Sequence, residues 1–193
     1  MLDLFDKVNS LRRYTFTIKM VTSNAIFKNS DTLCFNSNLG EDKLKLLISR
    51  MTILGMGPIR LTDDMYVIPD NKSITVVCSG QIRLAPNSSS LFKFTNFRHI
   101  DLSEVDTSMV TTMQAMFSNC TRLESINLSN FNTSNVYSMT SMFNNCVSLK
   151  SLDIRHFDTS SLKQMKLMFN NCKNLTDLKL FKGAELLLTG MGE

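Results

Sequence analysis

Residues 123–146 read LESINLSNFNTSNVYSMTSMFNNC and residues 149–172 read LKSLDIRHFDTSSLKQMKLMFNNC; superposed, they keep Thr, Met, Phe and Cys in common columns. A third copy, FRHIDLSEVDTSMVTTMQAMFSNC, occupies residues 97–120. The period is 26 residues throughout: Thr107, Thr133 and Thr159 keep it, as do Met113, Met139 and Met165, and Cys120, Cys146 and Cys172. A fourth unit begins with Leu175, Leu178 and Leu180 and then runs into FKGAELLLTGMGE, which reads as the end of the array. Upstream, SSSLFKFTNF resembles the Met-Phe end of a unit with one residue deleted, so Leu91 and Phe92 belong to a degenerate leading coil.

Each unit carries two periodicities. Leu123, Ile126 and Leu128 follow L-x-x-L-x-L spacing, whose last part alternates as a strand does. Val136, Met139, Met142, Phe143 and Cys146 then recur at three- and four-residue steps, and Thr133-Ser134 offers hydroxyls able to cap a helix start. The expected unit is therefore one strand and one short helix. Neither apolar edge can be buried alone, but stacking copies covers both. The expected fold is an α/β solenoid, a leucine-rich-repeat-like right-handed coil with a parallel sheet on one face and short helices on the other. Val105, Phe131 and Phe157 would fill the turn after the strand. The Asn119, Asn145 and Asn171 column would bond backbone groups where each helix ends.

The array spans residues 81–193, and residues 1–80 form a second region, an α+β cap. There LRRYTFTIKMV alternates as a strand, Glu41-Asp42 before KLKLLISRM opens a helix, and MYVIPDNKSITVVC reads as a hairpin. Its expected task is to cover the open end of the stack, with a recognition role as the other possibility.

Composition excludes several classes. At 193 residues with 43% apolar and 20% charged side chains, the chain suits one folded body and not a disordered one. The net charge of +4 divides evenly: residues 1–80 hold ten Lys and Arg against eight acids, and residues 81–193 hold eleven against nine. No basic run marks a nucleic-acid stripe. No apolar run reaches the roughly 18–20 residues of a membrane span. Five cysteines lack CxxC pairing or a histidine at zinc spacing, so neither a metal nor any other cofactor is expected. Together with thirteen methionines and no signal-like start, they point to the cytoplasm. A cell-surface or secreted setting is the alternative, if a signal segment has been removed.

The residues that tempt a chemist have plainer readings. The Cys and Met columns lie at core spacing. His99 and His156 lack a partner nucleophile or carboxylate, Asp63-Asp64 stands without a second acidic cluster, and Gly55 to Gly57 precede a proline instead of a helix. The expectation is a protein that is not an enzyme.

The stretch NLSNFNTSNVYSMTSMFNNCVSLKSLDIRHFDTSS resembles the BspA-type leucine-rich repeat, a tandem module also catalogued as a domain of unknown function in mycoplasma lipoproteins. The likeness covers roughly residues 82–180. It implies a noncatalytic scaffold for attachment to other proteins, including matrix proteins in surface members of the family. Within that implication the expectation is an intracellular protein binder. The alternatives are a phage or mobile-element inhibitor of a defence complex such as a CRISPR nuclease, a fragment of a bacterial adhesin, and a nucleic-acid binder.

Alternation along each strand assigns the candidate partner-binding face to His99, Asp101 and Ser103, then Ser125, Asn127 and Ser129, then Ser151, Asp153 and Arg155, then Asp177 and Lys179. The competing face, on the helix side, carries Tyr137, Lys163 and Lys166, with Leu167 beside them. The expected partner is another protein, with nucleic acid reached only through a protein complex and no membrane insertion.

Overall fold

A computed structural model describes residues 32–53, 59–60, 65–70 and 72–184. The strand at LRRYTFTIKMV, the Gly55–Gly57 segment and Asp63-Asp64 lie outside the described residues. What is described is mostly sheet, with parallel strands and a single α-helix.

The strands are β1 (Thr32–Asn36), β2 (Ile59–Arg60), β3 (Met65–Asp70), β4 (Ser73–Cys78), β5 (Ile82–Arg83), β6 (His99–Asp101), β7 (Val105–Asp106), β8 (Ser125–Asn127), β9 (Ser151–Asp153) and β10 (Asp177–Lys179); α1 is Glu41–Ile53. The expected hairpin is β3 and β4, paired antiparallel from Met65↔Cys78 to Asp70↔Ser73. The expected helix is α1, with Glu41 and Asp42 in its first turn, where the N-terminal dipole favours acids. Its Leu44 packs with Ile68 and Val77.

β1 joins this region to the array. It runs parallel to β4 on one side and to β6 on the other, so Ile74, Leu33, Ile100 and Ile126 form one apolar column across four strands. Leu33 and Ile74 are fully buried. The core formed this way includes residues from Leu33 to Ala184.

The second half of each unit departs from expectation. No α-helix lies between Thr107 and Asn174; the chain there follows overlapping turns. Met116 N–H donates to Met113 C=O, Ser118 to Ala115 and Cys120 to Phe117, each closing a four-residue turn. The alternate amides point the other way. Met113, Ala115, Phe117 and Asn119 donate to the carbonyls of Ser138, Thr140, Met142 and Asn144 in the next unit, at 2.8–2.9 Å. Met139, Ser141, Phe143 and Asn145 repeat this onto Gln164, Lys166, Met168 and Asn170. Half the backbone donors thus close turns and half tie units together, which leaves these N–H groups paired without a helix.

Spacing explains the preference. Phe92, Phe117, Phe143 and Phe169 stack ring on ring, with centroids 5.2, 5.3 and 5.8 Å apart. That is close to the separation of roughly 4.8 Å between neighbouring strands. Helices packed side by side need about 8–10 Å. Units that sit one strand spacing apart on both sides have no room for helices. The Met, Phe and Cys columns are nevertheless buried, apart from the half-buried Met165 of the third unit, because the turn ribbon also returns every third and fourth side chain to one face.

The other columns find their roles in the same stack. Val105, Phe131 and Phe157 are buried at the corner after the strand, and Phe131 and Phe157 stack at 6.5 Å. Thr107 and Thr133 do not cap helices; their hydroxyls donate to Asn132 and Asp158 carbonyls of the following unit. Asn119, Asn145 and Asn171 take left-handed φ of 61°, 63° and 59°, a region that asparagine enters more readily than most residues. Their side chains bond one another instead of the backbone at a helix end: Asn145 Nδ2 donates to Asn119 Oδ1 at 2.8 Å, and Asn171 donates to Asn145. Such amide ladders need identical residues one strand spacing apart.

Candidate interaction surface

The two faces of the stack differ in how their polar groups are used. On the strand side, every residue of the proposed set is exposed or half-buried, as alternation requires. Its groups, however, are largely occupied by one another. Asp101, Asn127 and Asp153 each accept the N–H two residues on, from Ser103, Ser129 and Arg155, forming local side-chain turns. Arg155 also clasps Asp153 through Nε and Nη2, and this holds the Asp153 carboxyl down at about 2. Lys179 stands 3.9 Å from Asp177. His99 Nδ1 lies 2.8 Å from the Ser125 hydroxyl. Ser151 continues that column on β9, opposite Asp177 on β10.

An ion-pair row that the strand pattern did not flag runs beside this set. Glu124 accepts from Lys150 Nζ at 2.7 Å and from Arg98 Nε at 2.6 Å, and these two bonds, that of Lys150 first, hold its carboxyl down at about 2. The signal was present in the sequence, since residues 98, 124 and 150 stand 26 apart with alternating charge.

The strand ladder is interrupted once. β6 pairs with β8 and β9 pairs with β10, but β8 and β9 belong to different sheets. There an open groove of about 540 Å³ is lined by Asn127, Ser129, Asp153, Arg155 and His156. His156 Nε2 lies 3.0 Å from the Leu128 carbonyl, which can only accept, so Nε2 carries the proton. The two histidines are therefore separately engaged, His99 by Ser125 and His156 by Leu128.

The turn side is different in kind. Tyr137 and Leu167 are exposed at 44% and 60%, alongside the exposed Lys163 and Lys166. Lys163 N–H donates to the Tyr137 carbonyl, and Lys166 C=O accepts from Ser141, so the third unit's lysines are pinned against the second unit. Leu167 has φ of 57°, a left-handed conformation that a branched side chain adopts at a cost.

Chemistry-bearing sulfurs face inward. The Cys120, Cys146 and Cys172 thiols donate to the carbonyls of Phe92, Phe117 and Phe143, at 3.0–3.1 Å. Burial pushes all three thiols up, Cys172 to about 11 and Cys146 further. Thr95 stands in the Cys column of the leading coil, its hydroxyl 3.3 Å from Cys120 Sγ. Among the described residues no three of His, Cys, Asp and Glu gather as a metal site would require, and no helix is long and apolar enough to cross a membrane.

Parallel strands in 26-residue register, joined by continuous side-chain columns, define a tandem-repeat protein built mainly of sheet. Residues 87–186 match the family described as "Mycoplasma protein of unknown function, DUF285", and the chain belongs to that family. No curated protein and no solved structure matches the chain.

Proposed function

We propose that the chain is a noncatalytic protein-interaction module, a leucine-rich-repeat-like solenoid of the BspA type that works as an intracellular binder. One observation carries the reading. The repeat commits its Cys, Met and Phe columns to the core, where reactive groups are buried and bonded to the neighbouring unit. What recurs outside is a regular surface of hydroxyls, amides and charges. Stacked repeats of this kind offer extended faces for macromolecular contact. The strand columns with L-x-x-L-x-L spacing support the leucine-rich class. Thiols kept free and raised by burial suit a reducing compartment.

The test is capture by the immobilised full chain from a lysate of the source organism. The reading expects a specific protein, competed by free chain and retained after nuclease treatment. Capture abolished by nuclease would assign the surface to nucleic acid instead, and turnover of a small substrate by the purified chain would overturn the noncatalytic reading.

A further inference from the structure

The formal charge divides evenly between the two halves of the sequence but not between the two faces of the stack. Segments 107–121, 133–148 and 159–174, which form the turn side, contain no Asp or Glu. Their only ionic groups are Lys163, Lys166 and Lys173, all in the third unit and all exposed. On the strand side the cations at the strand edges are matched: Arg98 and Lys150 by Glu124, Arg155 by Asp153, Lys179 by Asp177 and Arg83 by Asp106. The three turn-side lysines make no ion pair among the described residues. Uncompensated charge of one sign creates a local field that attracts the opposite sign.

Apolar groups lie within this field. Leu167 follows Lys166 directly, and Tyr137 is tied to Lys163 through the backbone. An exposed leucine and tyrosine rimmed by cations match the makeup of protein interfaces, an apolar anchor inside a charged border.

We propose that this face, centred on Leu167 and bordered by Lys163 and Lys166, docks an acidic segment of a partner protein that places an apolar side chain against Leu167 and Tyr137. The proposal rests on the reading of the chain as a protein-interaction module and adds the face and the partner's chemistry. Complementary charge argues for an acidic occupant. The leucine argues for a polypeptide over a phosphate backbone, because it neutralises no phosphate and offers no ring to stack on a base. The strand face is the weaker candidate, since its charges already satisfy one another.

The experiment titrates the full chain into a fluorescent peptide of Asp and Glu residues around a central Leu-Phe pair. A peptide with Asn and Gln in place of the acids and a single-stranded oligonucleotide of equal charge serve as comparators. The acidic peptide is expected to bind, and more weakly as salt rises. The double variant K163E/K166E is expected to lower its affinity by about tenfold or more. Leu167→Ser is expected to weaken it as well, and Arg155→Gln on the other face to leave it unchanged. All four side chains are exposed, and unchanged thermal midpoints check that the variants fold. Equal binding by K163E/K166E, equal binding of the neutral peptide, or tighter binding of the oligonucleotide would each overturn the proposal. If a partner captured from lysate is retained by K163E/K166E, this face is wrong while the broader reading stands; if no protein is captured, the broader reading itself fails.

Discussion

The side-chain amide of Asn145 donates to that of Asn119 one unit earlier, 2.8 Å away, while both residues hold a left-handed backbone. Asn171 extends the same line. Two properties of one residue type are used at once: tolerance of positive φ, and a side chain that is both donor and acceptor. They can be separated by substitution. Asn145→Gly keeps the backbone and removes the ladder, and about 1–2 kcal/mol of stability should be lost for two hydrogen bonds. Asn145→Ala should lose about 1 kcal/mol more, for forcing a Cβ into the left-handed region. Urea denaturation of the two variants and the parent gives both values. Equal loss from Gly and Ala would mean that the backbone geometry contributes nothing.

Thr107 and Thr133 occupy the same column but do unequal work. Each donates to a carbonyl of the next unit, but only Thr107 also accepts, from Asn132 N–H at 2.8 Å. Thr107→Val therefore orphans a backbone donor as well as removing a bond. It should cost about 1–3 kcal/mol, whereas Thr133→Val should cost about 1. Chemical denaturation measures the order, and Thr133→Val as the costlier change would contradict it.

Glu124 and Asp153 give the fold an acid sensitivity of definite sign. Hydrogen bonds from Lys150 and Arg98 hold the Glu124 carboxyl at about 2, and the Arg155 side chain holds Asp153 at about 2. A carboxyl with a lower pKa in the folded state binds fewer protons there than in the unfolded chain. Its stabilisation is fully present above the ordinary carboxylate range and is lost as pH falls from there toward about 2. Thermal midpoints recorded down that range should fall more steeply for the parent than for Glu124→Gln. Parallel curves would remove Glu124 from the account. Asp153 is exposed and Glu124 half-buried at the surface, so added salt should flatten the difference.

Thiol labelling should follow position in the stack. Cys34, half-buried on β1, is the most accessible of the five, although burial and then Asp101 push its thiol up. It should label first. Within the array Cys172, 7% exposed, should react before Cys120 and Cys146, which are fully buried. Cys146 should wait for unfolding, because desolvation raises it well beyond Cys172. Mass spectrometry of partly labelled protein at graded denaturant reads the order directly.

Phe143 stands between Phe117 and Phe169 in the ring column and is fully buried. Phe143→Ala should cost about 3–5 kcal/mol. Phe143→Leu keeps most of the volume but not the stacking and should cost less than half as much. A calorimetric comparison of the two separates volume from ring geometry.

Much of this architecture was legible in the residues. The strand columns follow from L-x-x-L-x-L spacing, the hairpin from two apolar runs around Asp70 to Lys72, and α1 from Glu41 and Asp42 ahead of an apolar stretch. The turn ribbon was not legible, because Met113, Met116, Phe117 and Cys120 stand at spacings that a helix and a chain of overlapping turns both satisfy. Only the distance between units decides, and that is a property of the stack. Two of the left-handed residues that the ribbon needs, Ala115 and Leu167, carry no local signal of φ above zero. The candidate surface was legible in exposure but not in use. Alternation placed Asp101, Asn127 and Asp153 outward, yet their local turns and the grip of Arg155 on Asp153 depend on geometry two residues along the chain. The separation of charge by face was written in the sequence and was hidden by counting halves.

The cross-unit amide bonds on the turn side recur by position: Met113 N–H reaches Ser138 C=O as Met139 reaches Gln164, and Tyr137 N–H reaches back to Thr111 C=O as Lys163 does to Tyr137. Neighbouring units meet through the same pairs of positions wherever they fall in the array. A duplicated block of 26 residues placed between two existing units would present to each neighbour the edge that neighbour already meets. A missing residue between units is absorbed, as in the leading coil, where Phe92 still stacks on Phe117 at a spacing of 25; one missing inside the ribbon would turn the side chains after it from core to solvent. Length is therefore a trait that tandem duplication or loss of one gene segment can change in a single step, without redesign of any residue, and the extent of the outer faces changes with it.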